Sequence, residues 1–127
     1  MAKIKVLLVE DDSDNRELLA EVLQDDFEVL TASDGSSGLE TFSRLRPGVV
    51  VTDEALPGIR GTELARRIKA LDPSTRVILV SGYAQPNGTD CCDVVLKKPL
   101  DIADLTKAVF GDGEGTIAPE GASPSPC

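Results

Sequence analysis

The chain has 127 residues, which suits one domain. Hydrophobic residues make up 41%, enough to argue against a disordered chain, while aromatics at 3% leave the core to Val, Leu, Ile and Ala. Its 22 acidic residues outnumber 13 basic ones, and the net charge of −9 repels phosphate backbones, so nucleic acid is not expected as a direct partner.

Histidine is absent, which rules out His-based acid/base chemistry, Ser-His-Asp hydrolysis and a phosphohistidine carrier role. No apolar run approaches the roughly 20 residues that span a bilayer, so no membrane insertion is expected. The opening MAKIKVLLVEDD is too short in its apolar part for a signal peptide and ends in acids; it reads as the first strand of a cytoplasmic protein. Cys91 and Cys92 are adjacent, Cys127 is the last residue of the sequence, and the count is odd. That is no disulfide framework, and all three read as free thiols. As half of a metal site the Cys91-Cys92 pair lacks both a histidine and a second pair.

Along the chain two periodicities alternate. Ile4–Val9 is a short apolar run suited to a strand covered on both faces. Asp12 or Ser13 can cap a helix over about residues 14–25, with Leu18, Leu19, Val22 and Leu23 on one face. Phe27–Thr31 reads as the second strand and Asp34-Gly35 as a turn. Leu39, Phe42 and Leu45 mark a second helix, ended by Pro47 and Gly48. Val49–Thr52 is the third strand. Leu64, Ala65, Ile68 and Leu71 mark the third helix, which stops before Pro73. Val77–Val80 and Val94–Leu96 are the fourth and fifth strands. Asp101 caps a last helix with Ile102, Leu105, Ala108 and Val109 on one face.

This alternation predicts an α/β fold, a doubly wound parallel sheet with right-handed crossovers. One helix is missing from the pattern. Between the fourth and fifth strands the segment 82–92 is short, and Pro86, Asn87 and Gly88 break it further. A mean helix alone takes about 11–12 residues, so a loop with at most one helical turn is expected there. Residues 1–110 then form the domain. Residues 111–127, GDGEGTIAPEGASPSPC, are expected to be a disordered Gly/Pro/Ser-rich tail.

Chemistry gathers at the carboxyl ends of the strands, where sheets of this kind bind ligands. The first strand ends in Glu10-Asp11-Asp12, the third in Asp53, the fourth in Ser81, and the fifth in Lys97-Lys98-Pro99. Each signal alone has a plainer reading. The acids suit a helix N-terminus, Asp53 a loop cap, Ser81 a turn before Gly82, and Lys98 a solvated side chain. Taken together they describe a cleft. Clustered carboxylates raise one another's pKa and call for a cation, and hard oxygen donors suit Mg²⁺ or Mn²⁺. With a lysine and a hydroxyl added, the set can balance the charge on a transferring phosphoryl group.

The stretches LLVEDDSDNRELL, TASDGSSGLETF, TDEALPGIRGTEL, VILVSGY and LKKPL resemble the response-regulator receiver domains of two-component signalling, over roughly residues 4–110. The resemblance implies a flavodoxin-like five-stranded sheet of order 2-1-3-4-5. It implies that Asp53 is the phosphoacceptor, taking its group from a phosphohistidine of a sensor histidine kinase or histidine phosphotransfer protein. Asp11 matches the direct metal ligand, Glu10 its neighbour acting through a metal-bound water, and the Ala55 carbonyl the backbone ligand. Ser81 matches the switch hydroxyl, and Lys98 the lysine that pairs with the phosphoryl group. Pro99 matches a proline that follows through a cis peptide. A stand-alone bacterial switch or relay with a downstream protein target is implied. No enzymatic activity is implied beyond the domain's own phosphorylation and slow dephosphorylation.

Two departures stand out. The family's aromatic residue three before the lysine is Val95 here, and the segment after Ser81 is short. Both favour a second reading, a receiver-like binding module that works without phosphorylation; the intact acids, Ser81 and Lys98 oppose it. Ala55 and Tyr83 are expected to hinder water and slow hydrolysis of the phosphate. An aspartate-nucleophile phosphohydrolase needs a second acid two residues after the nucleophile, where Ala55 stands. Nucleotide-binding glycine motifs are absent.

Overall fold

A computed structural model describes residues 3–82 and 89–110. Five strands alternate with four helices among the described residues: β1 (Lys5–Val9), α1 (Ser13–Leu23), β2 (Glu28–Ala32), α2 (Gly35–Leu45), β3 (Val49–Asp53), α3 (Gly61–Leu71), β4 (Arg76–Ser81), β5 (Val94–Lys97) and α4 (Ile102–Phe110). The sheet is parallel throughout, in the order β2-β1-β3-β4-β5. Alternation of elements predicted the parallel sheet, and its flavodoxin-like order is the one the resemblance implies.

The period of two along each strand divides the core into two layers. Val6, Leu8, Val49, Val51, Ile78, Val80 and Val94 point to the side of α1 and α4, and meet Leu23, Leu105, Ala108 and Val109. Leu7, Val9, Val50 and Val77 point to the opposite side, against Phe42 of α2 and Leu64, Ala65 and Ile68 of α3. Because the central strands are buried on both faces, they read as unbroken apolar runs.

Element boundaries follow local hydrogen bonding. Asp12, not Ser13, caps α1: its Oδ1 accepts from the Asp14 and Asn15 N–H groups at 2.9 and 3.1 Å. The Phe27 N–H still bonds the Leu23 carbonyl at 2.9 Å, so the chain joins the sheet only at Glu28, one residue later than the apolar pattern suggests. Asp34 caps α2 by accepting from Ser37 N–H at 2.7 Å, and Arg46, at φ 47°, closes it in the left-handed region just before Pro47.

The connection between β4 and β5 contains a three-residue 3₁₀ turn, Thr89–Cys91. No α-helix lies there among the described residues, in keeping with the short spacing; residues 83–88, Tyr83 included, fall outside the described residues. The expected tail, residues 111–127, falls outside them too. Asp93 anchors the chain just before β5. Its Oδ2 accepts from Lys69 Nζ and from the Val77 N–H, each at 2.7 Å, and so ties β5 to α3 and β4. Cys92 is free, as read from the sequence. Burial first, then the nearby carboxylates of Asp93 and Glu54, push the Cys92 thiol up to about 12, which leaves it unreactive at neutral pH.

Candidate functional site

The parallel sheet brings the ends of β1, β3, β4 and β5 to one rim, and the predicted residues arrive with them. Glu10 directly follows β1. Its N–H bonds the Ala32 carbonyl at 3.0 Å, its Oε2 accepts from Asp12 N–H at 3.2 Å, and Arg16 Nη1 holds its carbonyl at 2.8 Å. These contacts bury Glu10 and turn its carboxylate inward, while Asp11 beside it stays exposed. Asp53 is the last residue of β3 and is only 5% exposed. One carboxylate oxygen from each of Glu10, Asp11 and Asp53 lies within 4.8 Å of the others. That all-oxygen donor set fits a hard divalent cation.

Lys98 supplies the positive charge. It follows β5, yet its Nζ lies 3.0 Å from Asp53 Oδ1, across the end of β4. The Lys98–Pro99 peptide is cis, as the resemblance implies. Backbone pairing carries Lys98 to this place: its N–H bonds the Ser81 carbonyl at 2.9 Å, and Ser81 stands opposite Lys97 in register. Ser81 itself, at the end of β4, is 1% exposed. A cavity of about 290 Å³ opens beside the cluster, bordered by Glu10, Asn15, Leu18, Asp53, Lys98 and Pro99 among others.

The electrostatics of the rim are mutually dependent. Burial pushes the Glu10 carboxyl up, and the Asp53 charge adds to the rise; the Asp12 N–H and Lys98 pull it down, but the net direction is upward. For Lys98 burial is the largest influence and acts downward, yet the hydrogen bond and charge of Asp53, with Glu10 and Asp11 behind it, outweigh burial and raise the ammonium's pKa. Asp53 therefore faces a fully protonated lysine at neutral pH.

The loop from Asp53 to α3 carries the remaining predicted ligand, Ala55, which is exposed. Two residues here escaped sequence reading. Gly61 opens α3 against the backbone of the acceptor strand: a Cβ at this position would stand 2.3 Å from the Asp53 carbonyl oxygen. Glu54, which has no role in the sequence analysis, is buried to 7% exposure and accepts from Thr62 N–H at 2.8 Å. The available signal was Arg60, a helix N-cap with no acceptor of its own. Val95, at the expected aromatic position, is 41% exposed on β5.

Residues 6–110 match the family model described as response regulator receiver domain. The chain belongs to that family. Similar proteins agree with the assignment. Sporulation initiation phosphotransferase F of Bacillus subtilis is 33% identical over 115 residues, covering 86% of this chain and 93% of that protein. The response regulator receiver protein CpdR of Brucella abortus is 31% identical, covering 83% of this chain and 92% of that one. Among solved structures, the response regulator TrrA of Thermotoga maritima, in complex with Mg²⁺ and BeF, superposes with a TM-score of 0.79 at 29% identity, over 84% of this chain and 96% of that one. Among the described residues no helix is long and apolar enough to cross a membrane.

Proposed function

We propose that this receiver domain accepts a phosphoryl group on Asp53 from a phosphohistidine of a sensor histidine kinase or histidine phosphotransfer protein, in a Mg²⁺-dependent step, as a signalling switch or relay. The observation that carries the reading is the convergence on Asp53. A buried carboxylate has one oxygen 3.0 Å from Lys98 Nζ and two further acids within 4.8 Å.

In this reading Asp53 is the nucleophile and attacks phosphorus in line with the leaving imidazole. Glu10, Asp11, Asp53 and the Ala55 carbonyl would hold Mg²⁺ or Mn²⁺. The cation, when bound, neutralises negative charge on the phosphoryl oxygens. Lys98 neutralises a further part of that charge and orients the acceptor. Ser81 supplies a hydroxyl to the phosphorylated form. Phosphorylation adds negative charge and acceptor oxygens, which can draw in Ser81 and reshape the segment after β4. Output then passes to a downstream protein target. Beyond its own phosphorylation and dephosphorylation no catalysis is assigned to the chain. The Mg²⁺–BeF complex of TrrA supports the cation assignment by analogy.

Incubation with a small phosphodonor and Mg²⁺, followed by intact-mass measurement, tests the proposal. A single phosphoryl addition is expected, lost with EDTA and lost in D53N, whose circular dichroism stays native. An addition that persists in D53N would refute Asp53 as acceptor. Exposed Val95 and the short connection between β4 and β5 favour the second reading, a module that binds its partner unphosphorylated. Partner binding unaltered by phosphodonor and Mg²⁺ would select it.

A further inference from the structure

Glu54 follows Asp53 directly, yet its side chain turns away from the acceptor and spans the loop to the start of α3. One carboxylate oxygen, Oε1, accepts from the Thr62 N–H at 2.8 Å. The other, Oε2, lies 3.4 Å from Thr62 Oγ1 and 3.8 Å from Arg60 Nη1. The backbone of Glu54 is held as firmly: its N–H bonds the Val80 carbonyl at 3.0 Å, and its own carbonyl accepts from Leu56 N–H at 3.0 Å and Gly61 N–H at 3.1 Å. Residue 54 thereby makes six contacts while remaining only 7% exposed.

This arrangement replaces the usual way of capping a helix. The residue at the N-cap of α3 is Arg60, which offers no acceptor and makes no side-chain cap bond. The orphan N–H of Thr62 is satisfied instead from six residues before the cap, across the loop. A local cap at position 60 would satisfy the same donor without touching the loop's beginning. The long-range cap does more: it stitches the residue after the acceptor to the helix and leaves only 55–60 between the two anchors. Ala55 is the first residue inside that closed stretch.

We infer that Glu54 is a positioning residue for the cation site. Through its bond to Thr62 it sets the orientation of the peptide that presents the Ala55 carbonyl, and with it the geometry of the donor set around Asp53. The inference rests on the proposed function, in which that carbonyl is a ligand. It assigns Glu54 no contact with the phosphoryl group.

The test is Mg²⁺ affinity, measured by isothermal titration calorimetry on the full chain, alongside stability to urea. E54Q keeps an oxygen that accepts from Thr62 N–H, and its Kd is expected within about two-fold of wild type. E54L removes the acceptor and is expected to weaken Mg²⁺ binding about ten-fold, the usual scale for groups that orient metal ligands. The double variant E54L/R60D returns a cap to α3 from its conventional position. It is expected to recover urea stability while its Mg²⁺ affinity stays weak. Should E54L fail to fold, E54Q and the double variant carry the comparison. Recovery of affinity together with stability in E54L/R60D would reduce Glu54 to a helix cap and overturn the inference. So would wild-type affinity in E54L, or a loss in E54Q as large as in E54L, which would point to charge alone. A wild-type chain that binds no Mg²⁺ would overturn the proposed Mg²⁺-dependent phosphoryl transfer, and the Glu54 role with it; binding in wild type with indifferent variants overturns the Glu54 role only.

Discussion

Lys98 and Asp53 meet at 3.0 Å although Lys98 follows β5 and Asp53 ends β3, strands that are not neighbours: β4 lies between them, and the lysine reaches over its end. The pair joins a nearly buried carboxylate to a side chain that is 39% exposed. Its worth to stability is therefore small, since solvent screens the ammonium. Its worth to charge balance at the rim is larger. In K98M the rate of phosphorylation by a small donor should fall about 100-fold, the scale of losing one preorganised charge-stabilising donor. Thermal stability should change little. Stopped-flow or quench measurement of phosphorylation at saturating Mg²⁺ checks the first, and circular dichroism the second.

Glu10 makes metal-free stability depend on pH in an identifiable way. Its folded pKa lies above the ordinary 4.5, chiefly through burial. The folded protein then holds the Glu10 proton to higher pH than the unfolded chain does. Stability contributed by this residue is highest below 4.5 and declines as pH rises through the raised value, after which it is flat. E10Q removes that decline. The difference in urea stability between E10Q and wild type should therefore grow in favour of E10Q from pH 4.5 upward and then level off. A constant difference across this range would contradict the burial-driven shift.

Asp93 secures the start of β5. It holds both the Val77 N–H and Lys69 Nζ at 2.7 Å, and the lysine side chain is only 12% exposed. D93A leaves a largely buried ammonium and a strand donor without their acceptor. A loss of about 2 kcal/mol is expected in equilibrium unfolding. D93N should lose less, because its amide oxygen still accepts from Val77.

Gly61 is a packing requirement rather than a flexible point. In G61A the new methyl would lie 2.3 Å from the Asp53 carbonyl oxygen and 2.9 Å from Glu54 Cα, both backbone atoms that cannot step aside cheaply. The start of α3 must retreat from the acceptor strand. A destabilisation of about 2 kcal/mol is expected, with weakened Mg²⁺ binding as the loop is displaced. Native stability in G61A would mean that the helix has room to shift.

Much of the architecture was legible from residue order. Apolar runs such as Val49–Val51 at period-insensitive density, alternating with helical stripes such as Leu64, Ala65 and Ile68, require a parallel sheet covered on both faces. Twelve residues between β4 and β5, with Pro86 and Gly88 among them, leave too little length for a full helix and its two loops. The acids, Ser81 and Lys98 could be placed at strand ends because strand ends are where apolar runs stop. Distances between them could not be read. That Lys98 crosses β4 to Asp53, that the Glu10 carboxylate turns inward while Asp11 stays outside, and that Glu54 caps a helix from across a loop all depend on register and twist. These are set by packing between residues far apart in sequence, which local patterns do not encode. The local order of residues thus determined which groups reach the rim; only the packed sheet decided which of them touch.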